Sequence, residues 1–313
     1  MVTFVLPEKY ETQRVHCGVE AIRAEALSRG LAHRVIHAPE DEMMREKPGL
    51  IMISFKQYFK NLGVFSRWFG QLRKKGWVIS IYHIDAPWNN GLSEFRWKII
   101  KNLFWPFDIF FTHAVEDDAP KTASVVYLPN ACGVELIDVT VDTPEIDIGF
   151  CGNFKPQNKE HAKRIRLLEE YGQAFQKAGI RFVTRQDDGK MDTWLDHARA
   201  CWLQLSIGSA ADKPDRMSHG LPARVYGFSC VGALTIIEPR RHLADDFTDE
   251  GELPVYESPE DCVDTVRKLL ADKDALNDRR RKLLAHSRQR HLYSHRLDKV
   301  LEAARASGLS LST

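Results

Sequence analysis

Two groups of residues in this sequence are of types that do chemistry, and both stand where short apolar runs end. In the first, His83 and Asp85 follow the run 78–82, His113 follows 108–112, and Asn130 follows 125–128. A histidine and an aspartate two residues apart on extended backbone point the same way, so they can share the work of taking a proton from a hydroxyl. The second centres on residues 219–238, HGLPARVYGFSCVGALTIIE, where a Gly/Pro turn opens a short helix carrying Arg224 in its first turn. A helix N-terminus presents unpaired N–H groups to an anion, and an arginine adds a permanent cation that can bond a phosphate twice. Gly152, Asn153 and Arg185 follow other runs of the same half. Each residue also has an ordinary reading. Asp85 can cap the turn before Pro87, His83 can be a half-buried satisfied histidine, Arg224 can be solvated, and one glycine is weak beside a full GxGxxG pattern.

The elements that must position these residues alternate in kind. Strands are expected at 3–6, 34–37, 49–54, 78–82, 108–112 and 125–128, with helices at 15–29, ended by Gly30, and 64–75, stopped by Gly76. A Pro-containing acidic stretch at 139–145 reads as a linker. The pattern then resumes: strand 146–150, helix 162–177, strand 181–184 with Arg185 in the following loop, helix 193–200, strand 202–207, helix 223–230 stopped by Gly232, and a buried strand at 233–237. Helices at 259–270 and 271–290 follow, with ADDFTDEGE before them as a solvated acidic loop and DRRRK at 278–282 as a solvated face. Residues 297–304 are apolar on one face. Repeated βα units mean parallel, doubly wound sheets. The expectation is an α/β chain of two Rossmann-like domains, 1–140 and 141–313, facing a central cleft, with the final helix packing back on the first. Ligands in such sheets bind outside the carboxyl ends of the strands, where residues 7–10, His83, Asp85, His113 and Asn130 gather.

Composition narrows the classes. The 313 residues are 43% hydrophobic and 28% charged with a net charge of +1, the balance of a water-soluble protein with sizeable cores. Six cysteines, at 17, 132, 151, 201, 230 and 262, show no CxxC spacing and read as buried thiols of a reducing, cytoplasmic compartment. The amino terminus lacks a signal-peptide pattern, and no run reaches the ~18 apolar residues that span a bilayer. Locally, residues 55–105 hold nine Lys and Arg against Asp85 and Glu94, interleaved with thirteen aromatics. That mixture suits nucleic acid or an anionic membrane interface. It equally suits a core of aromatics under a lysine-covered surface.

The segment Arg224-Val-Tyr-Gly-Phe-Ser-Cys-Val-Gly-Ala-Leu resembles the nucleotide-binding segment of group-1 glycosyltransferases of GT-B fold, especially the CgeB-like, spore-maturation-type branch. The order of further short motifs matches too: Asp85-Ala86-Pro87, Phe107-Asp108, Tyr127-Leu128-Pro129-Asn130, residues 150–153, and Leu253-Pro254-Val255-Tyr256. The chain departs from that pattern where Gly227 stands for a glutamate and His219 for another acid. The resemblance implies a metal-independent glycosyltransferase with no cofactor beyond a nucleotide-sugar co-substrate, UDP-linked, bound by Gly152, Asn153, Arg185, Ser206, Arg224 and Tyr226. If transfer inverts the anomeric centre, a base must lie within ~3 Å of the acceptor hydroxyl, and Asp85 is the first candidate, with His83 and His113 behind it; a retaining enzyme needs none. The acceptor is unidentified; the basic, aromatic stretch 55–105 would suit a polyanion such as modified DNA or a cell-surface polymer. Two rivals share the fold: a nucleotide-sugar epimerase, and a silent binding module suggested by Gly227 and His219.

Overall fold

The structure, a computed structural model, describes residues 1–7, 18–83, 94–103, 105–113, 119–132, 137–153, 159–188, 190–207 and 220–309. In chain order the first elements are β1 (Val2–Val5), α1 (Val19–Ser28), β2 (His33–Ile36), a 3-10 turn at Asp41–Arg45, β3 (Leu50–Ser54), α2 (Phe55–Lys60), α3 (Leu62–Lys74), β4 (Val78–His83), α4 (Glu94–Leu103), β5 (Ile109–Thr112) and β6 (Ser124–Tyr127). There follow β7 (Ile146–Gly152), α5 (Lys159–Lys177), β8 (Phe182–Gln186), α6 (Met191–Ala200), β9 (Cys201–Ser206), α7 (Ala223–Val231), β10 (Leu234–Ile237), α8 (Leu243–Asp246), a 3-10 turn at Asp249–Gly251, α9 (Pro259–Leu270), α10 (Lys273–Arg290) and α11 (Tyr293–Ala306). Packing divides the chain into two compact units. One holds the described residues up to Asn130 together with those from Tyr293 onward, and the other holds Ala131–Leu292.

In the first unit the described strands pair in the order β2-β1-β3-β4-β5-β6, all parallel. The central strands are short apolar runs whose side chains are buried on both faces: β1 reads VTFV and β5 reads IFFT, each wholly buried, as helices on two sides of a parallel sheet require. Asp108 fixes the start of β5. Its Oδ2 accepts from the Ile79 N–H at 2.9 Å while Oδ1 takes Arg73 Nε at 2.9 Å, tying β5 to β4 and to the end of α3. One helical layer holds α2, α3 and α4 over an aromatic cluster that includes Phe55, Tyr58, Phe69, Trp97 and Phe110. Helix α2, unmarked in the sequence reading, starts directly from β3 because the Ser54 side chain accepts from the Gln57 N–H at 3.2 Å. Helix α11 packs against α1. There Tyr293 OH accepts from Gly18 N at 3.2 Å and Asp298 takes Arg29 Nη1 at 2.6 Å.

In the second unit the order is β10-β9-β7-β8, again all parallel. Helix α7 ends at Gly232, whose φ of 85° is left-handed; a Cβ there would also lie 2.4 Å from Thr140 Cγ2, so only glycine fits. The stretch read as a solvated basic face departs from expectation at one residue. Arg280 is fully buried, donates from Nε to Gly232 O at 3.1 Å and from Nη2 to Val139 O at 2.6 Å, and lies 5.5 Å from the Trp202 ring. The acidic loop departs likewise: Asp246 is buried and accepts the Tyr226 hydroxyl at 2.5 Å. Val139, read as linker, has no exposed surface and packs with Trp194 and Phe228. Its place is inside this unit because its carbonyl is one of the two that Arg280 bonds.

Candidate functional site

In the second unit the strand order reverses between β7 and β9, which leave the sheet side by side on either side of the turnback to β8 and β10. Such a switch point opens a crevice at the carboxyl edge. Gly152 ends β7 and Ser206 ends β9, so two of the expected donor-binding residues stand on its two rims. Arg224 reaches the same place from the first turn of α7. Its Nη2 donates to Ile207 O at 3.0 Å, its guanidinium lies 5.2 Å from the Phe150 ring, and Nη1 would be 3.5 Å from a Cβ on Gly152. A side chain at position 152 would also come within 2.8 Å of the Phe150 ring, so glycine is what lets the arginine lie against the strand end.

The polar atoms here are not all used. Arg224 Nε and Ser206 Oγ are both out of contact with solvent and have no hydrogen-bond partner among the described residues. A buried donor left unpaired costs about 1–3 kcal/mol, which is the mark of a group held ready for something that arrives later. Charge points the same way. Burial first, then the cations of Arg164 and Arg240, depress the Arg224 pKa to about 9, so three guanidiniums share this edge. Arg164, on α5, donates from Nη1 to Asn153 O at 2.8 Å. Arg240, in the loop after β10, has Glu238 at 3.6 Å from Nη2. Gln186 Nε2, at the end of β8, is 3.3 Å from Asn153 Oδ1, and Tyr256 OH donates to Ser206 O at 2.9 Å. Neither Arg164 nor Arg240 was found by the sequence reading. Arg240 had a signal, lying just past a buried strand in Glu-Pro-Arg-Arg; Arg164, inside a charged helix, had none.

Two of the expected donor-site residues are placed elsewhere. Arg185 lies inside β8 in register with Cys151, not in the loop after it, because the strand runs on to Gln186. Its partner Cys151 packs with Trp194 and Ala198 of α6, so Arg185 belongs to the opposite sheet face from Phe150 and Arg224. There its charge, after burial, holds the His197 pKa down to about 4. Tyr226 has no exposed surface; its hydroxyl is taken by Asp246 and its ring packs against Phe247 and His291. It is a core residue, because α7 turns that face inward.

Gly227, where the resemblance places a glutamate, is buried, and a Cβ on it would lie 3.0 Å from Trp194 Cζ2. Trp194 stacks on Phe228 at 4.5 Å between centroids. The tryptophan therefore occupies the space a longer side chain would need. His219 lies outside the described residues.

In the first unit, His83 is the last residue of β4 and pairs in register with Thr112 of β5, so His113 follows on the neighbouring strand. His113 is buried. The two histidines are thus neighbours at the carboxyl edge, one and two strands beyond the β1/β3 switch point of this sheet. Asn130 is buried, and its carbonyl accepts from Arg296 Nη2 at 2.9 Å. Asp85 and residues 8–10 lie outside the described residues. Among the described residues no three His, Cys, Asp or Glu side chains converge as a metal site would require. None of the helices described is long and apolar enough to cross a membrane, and none of the five described cysteines is in a disulfide.

Comparison with known proteins agrees with this architecture. A family described as glycosyl transferase-like matches residues 143–302. No curated protein matches the chain. Among solved structures, sucrose-phosphate synthase from Thermosynechococcus elongatus superposes with a TM-score of 0.60 at 11% identity, covering 97% of this chain and 98% of that one. Anabaena HepE in complex with UDP-glucose gives 0.59 at 10% identity over 97% and 99%. A DNA modifying enzyme, beta-glucosyltransferase, gives 0.57 at 12% identity over 99% and 100%. These likenesses establish the fold, two Rossmann-like units of GT-B architecture, and the matched segment covers more than half of the 313 residues, so the chain belongs to the glycosyl transferase-like family.

Proposed function

We propose that the protein transfers a sugar from a UDP-linked donor to a polyanionic acceptor without a metal ion, and that the second unit holds the donor. The observation that carries this reading is the meeting of Arg224 with Ser206 and Gly152 at the β7/β9 switch point, where two buried polar atoms are unpartnered. Glycosyl transfer forms a bond from the acceptor oxygen to the anomeric carbon and breaks the bond from that carbon to the diphosphate. Negative charge grows on the leaving phosphate, and fixed cations in a partly dry site stabilise it without reorganising. Arg224 and Ser206 bond the diphosphate, Gly152 and Asn153 give it backbone room, and Arg164 and Arg240 supply further positive charge of the kind a metal ion would otherwise bring. We assign the acceptor's proton to Asp85, with His83 and His113 as alternative bases. Arg185 keeps a place only through its long-range charge.

UDP is the nucleotide we favour because HepE, of the same fold, is described with UDP-glucose. The polyanionic acceptor is a cell-surface polymer or modified DNA, the beta-glucosyltransferase of the same fold being described as DNA modifying. Within the family we place the chain in the spore-maturation-type branch, on the shared order of Asp85-Ala86-Pro87, Phe107-Asp108 and the later motifs. A reducing cytoplasm suits its cysteines, of which burial pushes Cys151 up to about 11 and Cys262 up to about 12, well above any reactive range.

Thermal melting tests the donor site. At a concentration 100 times its Kd, UDP should stabilise the wild type by about 2.7 kcal/mol and leave Arg224→Ala unshifted, each protein being compared with its own melt without ligand. Absence of stabilisation by every nucleoside diphosphate and nucleotide-sugar tried would sink the reading.

A further inference from the structure

The basic, aromatic stretch of the first unit divides cleanly in the structure. Its aromatics largely face inward: Phe55, Tyr58, Phe65, Trp68, Phe69 and Trp97 are all buried. Its cations face outward. Helices α2, α3 and α4 carry eight Lys and Arg and a single acid, Glu94. On α4 the division is sharpest. Trp97 is 1% exposed and anchors the helix inward, meeting Phe55 of α2 at 5.7 Å between centroids. On the opposite side Phe95 is 72% exposed and Ile99, one turn on, is 38% exposed. At 100° per residue, Arg96 falls on one flank of this apolar pair and Lys98 on the other. Val64 at the start of α3 is 60% exposed, and Lys60 at the end of α2 is exposed beside it in sequence.

We propose that the outer face of α4 docks on an anionic lipid bilayer. Phe95 and Ile99 enter the interface while Arg96 and Lys98, on its two flanks, meet the headgroups. An outward apolar pair bracketed by cations is the arrangement of a helix lying in a membrane surface, and exposed apolar side chains ringed by charge mark an interaction site. The aliphatic member decides between lipid and nucleic acid. Ile99 offers nothing to base stacking, which requires aromatic faces, whereas a lipid interface rewards every apolar side chain. Of the acids, α4 carries Glu94 alone, at its first residue and four before Lys98, against three cations; Asp41 and Glu42 stand on the 3-10 turn that packs on α3.

The test is flotation of the full chain with vesicles of phosphatidylcholine alone and of phosphatidylcholine mixed with phosphatidylglycerol. The wild type is expected to float with the anionic vesicles only. Each cation lost should weaken binding roughly fivefold, so Arg96→Glu with Lys98→Glu reduces it by more than about twenty-fivefold, and added salt does the same. Phe95→Ser with Ile99→Ser, changes at exposed positions that leave the melting temperature unaltered, should abolish flotation. Failure to bind anionic vesicles, equal binding to neutral ones, or unchanged flotation of the serine variant each overturns the proposal. Retention of wild type and serine variant alike on single-stranded DNA, with no flotation, would overturn it in favour of nucleic acid.

Discussion

His197 makes the stability of the second unit depend on pH in a calculable way. It lies on α6 with 3% exposure, and its ring stands where a Cβ on Gly149 would be, 2.6 Å away. Burial, then the charge of Arg185, lowers its pKa from 6.5 to about 4. On acidification the unfolded chain therefore binds this proton first, and the native state lags until about 4. Stability from the neutral imidazole is complete above 6.5, falls as pH drops through that value, and levels off below 4. The linkage amounts to about 1 kcal/mol lost at about pH 5.5 and roughly 2–3 kcal/mol at about pH 4.5. Other groups titrate over the same range, so the useful quantity is the difference between wild type and His197→Gln. Urea unfolding of both, followed by tryptophan fluorescence near neutrality and at about pH 4.5, should show the wild type losing roughly 2–3 kcal/mol more than the variant. Equal losses would mean that His197 is protonated or solvated in the native protein, and the packing described around Gly149 would be wrong.

Two further substitutions probe the same unit. Arg280→Leu should destabilise by about 3 kcal/mol, because Gly232 O and Val139 O lose their buried donor; denaturant unfolding measures it, and a loss under about 1 kcal/mol would contradict the clamp. Gly227→Glu restores the acid of the related pattern on paper, yet it drives a carboxylate against Trp194. It should cost more than about 3 kcal/mol and lower soluble yield; a variant that melts like wild type would show that the space beside Trp194 is open.

The strands were legible because parallel sheets leave a plain signal. Runs such as Leu50–Ser54 and Leu234–Ile237 are apolar, β-branched and bounded by turn residues, and both glycines expected to stop helices at 76 and 232 have positive φ. Helix α2 was missed because six residues, FKQYFK, are too few to show a period and begin without any break after β3. The candidate site was legible only along the backbone. Arg224, Gly152 and Ser206 could be placed because each adjoins a strand end, which the alternation of elements fixes. Arg164 and Arg240 come to the same edge from helices and loops whose packing no local pattern encodes. Arg280 misled for the same reason. Four successive charges from Arg279 to Lys282 read as a solvated face, and only the tertiary position of two carbonyls explains why one of the four turns inward.

Helix α11 carries a consequence for how the protein is made. Among the described residues the second unit falls within one stretch, Ala131–Leu292, whereas the first is assembled from residues on either side of it, up to Asn130 and from Tyr293 onward. Arg296 closes the junction, its Nε and Nη2 both bonding carbonyls of Pro129 and Asn130 at 2.9 Å. During synthesis the inserted unit has its sequence available while α1 still lacks the helix that packs against it. The first unit to be translated is therefore the last to be completed, and until α11 emerges from the ribosome its partner surface on α1 is a client for chaperones. A ribosome that stops short of Tyr293 releases one finished unit and one open one.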